Sequence, residues 1–73
     1  MTSNRTTTQT TTSDAEYLIN GDIIINGELR QIVLDVDETY DGMVVTVATY
    51  DEPDSPEHTL IYDPGDVVTI FAR

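Results

Sequence analysis

An all-β domain, a five-stranded SH3-like small barrel, is the fold this sequence predicts. Three observations carry the prediction. Short β-branched runs recur after Tyr17, tight-turn signals separate them, and no segment of useful length carries a 3.6-residue helical repeat. A sheet this small must close or fold over to bury its apolar face, and a barrel does so with five strands. The alternative is a small two-sheet sandwich.

The elements follow in order. Residues 1–13 (MTSNRTTTQTTTS) are nearly all Thr, Ser, Gln and Asn. They offer nothing to a core, so burial cannot offset the entropy of ordering them. They are expected to form a disordered tail ahead of a barrel domain at 14–73. Asn20-Gly21 is a candidate turn that splits Tyr17-Leu18-Ile19 from the first full strand, Asp22-Ile23-Ile24-Ile25. Asn26-Gly27 then predicts a hairpin with a type I′ turn, which needs positive φ at both central positions. From Glu28 to Asp37 the chain alternates, and Ile32, Leu34 and Val36 are expected to face the core. MVVTVATY (43–50) is a third strand whose inward face alternation alone does not choose. DEPDSPE (51–57), with two prolines, is a loop. HTLIY (58–62) is a fourth strand with Leu60 and Tyr62 inward. Asp63-Pro64-Gly65-Asp66 is a tight turn, because Pro presets φ at its second position and Gly tolerates the third. VVTIFA (67–72) is the fifth strand, and the five are expected to run as a meander.

NGDIIINGELRQIVLDV, GMVVTVATY and HTLIYDPGDVVTI together resemble the small SH3-like barrel proteins found among uncharacterised actinobacterial, haloarchaeal and phage proteins. The shared features are Gly21-Asp22 opening a strand, a long second strand, and the closing Pro64-to-Val67 turn, over roughly residues 20–71. The resemblance implies a fold and no activity, since such barrels host unrelated functions.

Composition narrows the function. The chain has 73 residues, 14 Asp and Glu against 3 Arg, no Lys, no Cys and one His, for a net charge of −11. All the acids lie at or after Asp14, so the expected domain carries Arg30 and Arg73 against 14 acids, or −12. Such a surface repels phosphate and disfavours nucleic acid and anionic membranes as partners. It suits a basic or mixed-charge protein. No thiolate is available, and His58 alone cannot build a zinc site. The absence of lysine and the excess of aspartate match the usage of halophilic or high-GC hosts and their viruses. No secretion signal or apolar run of membrane-spanning length is visible, so a cytoplasmic or virion-associated location is expected.

The stretch DVDETYDG (35–42) invites a calcium reading. An EF-hand loop started at Asp35 would place Tyr40 where glycine is needed and Thr46 where a bidentate acid is needed, between strands rather than helices. The match fails, and no metal or cofactor is expected. A glycosidase pair of carboxylates would need a cleft this domain is too small to wall. A triad of Ser55, His58 and an aspartate would lack an oxyanion hole. The chain is therefore expected to be no enzyme.

What remains is a surface. Asp37, Glu38, Tyr40 and Asp41 in one turn, and Tyr50, Asp51, Glu52, Asp54, Glu57 and His58 around the second loop, are the candidate partner-binding residues. Aromatics beside a polar rim are frequent binding anchors. The leading expectation is a non-enzymatic acidic protein-interaction module, a small accessory protein of a phage, virus or halophilic or high-GC host. A DNA mimic that inhibits a nucleic-acid-binding protein is the alternative from another class, and a structural virion component is a third.

Overall fold

The computed structural model describes residues 9–52 and 54–72. Six strands form one antiparallel sheet: β1 (Thr10–Asp14), β2 (Ile23–Asn26), β3 (Leu29–Thr39), β4 (Gly42–Thr49), β5 (His58–Tyr62) and β6 (Val67–Phe71). A 3-10 turn, Ala15–Tyr17, follows β1. The strand order is β1-β6-β2-β3-β4-β5. All-β is thus the class, but the sheet is open, with β1 and β5 at its edges.

The expected meander holds for β2 to β5 only. The last strand leaves β5 and pairs between β1 and β2, with Ile24 opposite Ile70 and Thr12 opposite Thr69. The expected tail boundary also moves. Residues 10–13 belong to β1, because β6 offers a free ladder on that side and backbone pairing needs no apolar side chain. Residues 1–8 lie outside the described residues. Tyr17-Leu18-Ile19 is not a strand: Ala15 and Leu18 are buried there beside the 3-10 turn.

Two turns are built the same way. In Ile19–Asp22 the Asp22 amide donates to the Ile19 carbonyl (3.1 Å), and the Ile19 amide donates to Asp22 Oδ2 (3.0 Å). In Asp63–Asp66 the Asp66 amide donates to the Asp63 carbonyl (2.9 Å), and the Asp63 amide donates to Asp66 Oδ2 (2.9 Å). In each, a Gly-Asp pair lets the aspartate close the turn on itself and open the next strand. The second turn also holds the chain start: the Ala15 amide donates to the Asp66 carbonyl (2.8 Å) and that of Glu16 to the Pro64 carbonyl (3.2 Å).

The β2–β3 hairpin is centred one residue later than expected. Asn26 pairs with Leu29, so Gly27 and Glu28 are the loop. Only Gly27 has positive φ (+66°), which is type II′ logic, with glycine first, in place of type I′.

The core is Ala15, Leu18, Ile24, Val33, Met43, Val45, Val47, Val68 and Ile70, with Val36, Leu60 and Tyr62 packed against it. This fixes the inward face of β4 as Met43, Val45 and Val47. It also corrects the expected face of β3. Val33 pairs with Val47 and Val36 with Val45, while Leu34 and Asp35 together oppose Thr46. That extra residue is a β-bulge, and it reverses the phase of the strand. Val36 faces the core as expected. Ile32 and Leu34 do not: Gln31 and Val33 take the inward positions, and Leu34 is 39% exposed. Ile32 instead joins Ile23 and Ala48 in a row on the outer face. The cost is visible at Gln31, which is buried with no hydrogen-bond partner for Oε1 among the described residues.

The bulge makes a sharp prediction. Val33→Asp buries a charge beside Val47 and is expected to cost about 4 kcal/mol or more, enough to abolish cooperative melting. Leu34→Asp is expected to cost no more than about 1 kcal/mol. Thermal melts of both variants check the register. A second site tests the β4–β5 packing. Gly42 has φ +136°, and a Cβ there would lie 2.6 Å from the Tyr62 carbonyl oxygen. Gly42→Ala is expected to lower stability by about 2–3 kcal/mol in denaturant titration, through strain and the clash together.

Candidate docking surface

DVDETYDG resolves into the end of β3, a two-residue turn and the start of β4. Thr39 pairs with Gly42, leaving Tyr40 and Asp41 as the loop. The Thr39 hydroxyl donates to the Gly42 carbonyl (2.8 Å) and accepts from the Asp41 amide (3.2 Å). One side chain thus pins both arms of the turn. Tyr40 projects from this fixed base and is 104% exposed. Asp37 and Glu38 on β3 and Asp41 beside it are exposed as well.

The second group lies elsewhere. Tyr50 follows β4 and is 43% exposed, with its amide donating to the Arg30 carbonyl (2.8 Å). Asp51, Glu52, Asp54 and Glu57 are exposed in the loop, and His58 opens β5, also exposed. Two bonds shape the loop: the Ser55 amide (2.9 Å) and hydroxyl (2.6 Å) both donate to the Glu52 carbonyl. The Ser55 hydroxyl is thereby engaged with backbone.

The two groups sit at opposite ends of β4. Eight residues of strand span roughly 25 Å at the usual rise. They are therefore two separate surfaces, not one acidic face. The sequence could not reveal this, because it gives the strand's length but not which loops share an end.

Near the Tyr40 turn the chain gathers other acids. Gly42 abuts the Tyr62 backbone, and the Asp63–Asp66 turn leads from there to Ala15 and Glu16. Tyr62 is half-buried in this corner, and its hydroxyl titrates above the ordinary tyrosine value because burial, and then the charge of Asp66, disfavour the phenolate. A shallow cleft of about 300 Å³ lies between residues 24–26, residues 67–69 and Tyr62. Its walls are aliphatic apart from Asn26, Tyr62 and Thr69, and none of the candidate binding residues lines it. Among the described residues no three of His, Asp and Glu are grouped so as to hold a metal ion. Nor is any helix among them long and apolar enough to cross a membrane.

No family model, curated protein or solved structure matches the chain.

The raised Tyr62 value has a pH consequence. Its stabilisation is intact below the unfolded-state value of 10.0 and is lost as pH rises through the higher folded-state value. Melting temperatures are expected to fall across that alkaline window. Tyr62→Phe is expected to flatten this part of the profile, and Asp66→Asn to shift it upward less far above the unfolded value.

Proposed function

We propose that the chain is a non-enzymatic acidic interaction module, an open relative of the SH3-like small barrels, that docks a basic or mixed-charge protein through the Tyr40 turn. One observation carries the reading: a fully exposed tyrosine stands on a turn that Thr39 holds rigid, among Asp37, Glu38 and Asp41. A rigid aromatic loses little entropy on binding, and its ring face attracts arginine or lysine. Carboxylates around it steer a cationic partner and disfavour nucleic acid and anionic membranes.

The acids lie at both ends of the sheet and on the outer side of β3. That spread favours salt adaptation with a local docking point over a DNA mimic, which needs carboxylates in one phosphate-like row. A small accessory protein of a phage, virus or halophilic or high-GC host fits this description, in the cytoplasm or on a virion.

An arginine-rich test peptide, followed by amide chemical shifts on the labelled protein, addresses the reading. Shifts are expected to centre on residues 39–42. Tyr40→Ala is expected to weaken binding about tenfold or more while leaving the melt unchanged, because Tyr40 is fully exposed. Shifts spread evenly over every carboxylate-bearing segment, with Tyr40→Ala indistinguishable from wild type, would refute it.

A further inference from the structure

Among the described residues, strand lies unpaired on one side at β1, at β3 beyond Val33 and at β5, besides the seam where β2 and β6 share only the Ile24–Ile70 pair, and these stretches are not alike. β1, at one edge, is TTTSD: hydroxyl-bearing, without an apolar side chain, and ended by Asp14. The second stretch is β3 beyond Val33, where β2 no longer pairs with it. There the bulge at Leu34 and Asp35, then Asp37 and Glu38, twist and charge the strand. Those are the devices by which proteins discourage a foreign strand from adding to an edge.

β5, at the other edge, has none of them. His58–Tyr62 contains no proline, no carboxylate, no lysine and no bulge against β4. Ile61 is 67% exposed on its outer side, opposite Val44. Leu60 and Tyr62 lie on the inward side opposite Val45 and Met43 and remain only half-buried, with Tyr62 also bordering the cleft beside residues 24–26 and 67–69. Charge returns at once on either side of this neutral stretch, with Glu57 before it and Asp63 after it, both exposed.

We infer that the β5 edge is a receptor for an extended segment of a partner protein, added as a seventh antiparallel strand. The segment it fits has about five residues of alternating apolar and small polar character, with lysine or arginine at each end. Main-chain hydrogen bonds supply the affinity in such additions, and alternate side chains supply the selectivity. One apolar side chain would cover Ile61 and its neighbours on the strand would extend the core past Leu60 and Tyr62. The terminal cations would meet Glu57 and Asp63. A second copy of this chain fits less well, since antiparallel pairing of β5 with itself sets Glu57 against Asp63 of the other copy. This inference rests on the acidic-docking reading for the charge of the partner alone; the edge itself is a different surface from the Tyr40 turn.

The test uses the full chain, isotope-labelled, and three synthetic peptides. The first has five alternating valines and threonines between pairs of lysines. The second is the same peptide with alternate backbone amides N-methylated, which removes strand pairing and keeps the charge. The third replaces the lysines by serines. Expected are amide shifts and slowed hydrogen exchange along residues 58–62 with the first peptide, at least about tenfold weaker binding of the other two, and loss of the effect in Ile61→Lys. Position 61 is exposed, so an unchanged amide spectrum elsewhere verifies that this variant is folded. Equal binding by the N-methylated peptide would overturn the edge while leaving the charge reading standing. Equal binding by the serine-ended peptide would overturn the charge reading while leaving the edge standing. Dimerisation of the unliganded chain in sedimentation, abolished by Ile61→Lys, would overturn the inference by assigning the edge to a second copy.

Discussion

One strand has to serve two partners, and the remainder of the sheet is arranged around that requirement. The first part of β3 pairs with β2 and most of its length with β4, and the two pairings overlap only at residues 31 and 32. The partners ask for different things. β2 and β6 present Ile24 and Ile70 to the interior and call for an inward residue at 31 and 33. β4 presents Val45 and Val47, and needs inward residues at 33 and 36. No regular strand satisfies both, because 33 and 36 lie on opposite faces of an unbroken pleat. The bulge at Leu34 and Asp35 resolves the conflict by a single extra residue, and accepts a buried glutamine and an exposed leucine as its cost.

The carboxylates then divide into two kinds. Asp22 and Asp66 close turns, each accepting the amide of the residue three positions earlier, and both launch a strand that enters the core within two residues. Their chemistry is architectural. The other twelve sit in loops, on β3, at the end of β1 or in the 3-10 turn, most of them exposed to water and salt. A charge this lopsided repels itself, and a small sheet has little burial with which to oppose the repulsion. Two aspartates used as turn locks soften that conflict, since they place unavoidable charge where it forms hydrogen bonds.

The strands after Tyr17 were legible in the sequence because β-branched runs and Gly-containing turns are local signals. Leu60 and Tyr62 read correctly as inward, and so did Val36. What was not legible depended on distance along the chain. The phase read at Val36 fails at Leu34 because Ile32 and Val33 are both apolar, so alternation gives no warning of a bulge between them. The Asn26-Gly27 pair marks the right corner but the wrong centre, since glycine alone supplies the positive φ the turn uses. β1 carries no hydrophobic pattern at all, and exists because β6 needs a neighbour on that side. The candidate surface shows the same limit. Its exposed residues were recognisable one at a time, but their division between the two ends of β4 is a property of the fold. The bare edge at Ile61 has a faint sequence mark, five uncharged residues between two acidic loops, which acquires meaning only once β5 is known to end the sheet.

The insertion of β6 between β1 and β2 bears on how the chain reaches this structure. β2 to β5 join neighbours in sequence, so their loops close cheaply and early. Among the described residues, the strand pairing that unites β1 with them runs through β6, nearly the whole length of the chain away. Until β6 arrives, Ile24 has no partner at Ile70, and the inward side of the meander lies open with Val33, Val45 and Val47 exposed. Completing the core therefore requires the longest closure in the molecule, the kind of non-local pairing that slows β-proteins. A net charge of −11 disfavours association of chains whose inward side is still uncovered, a consequence of the acidity that concerns the chain before it has folded.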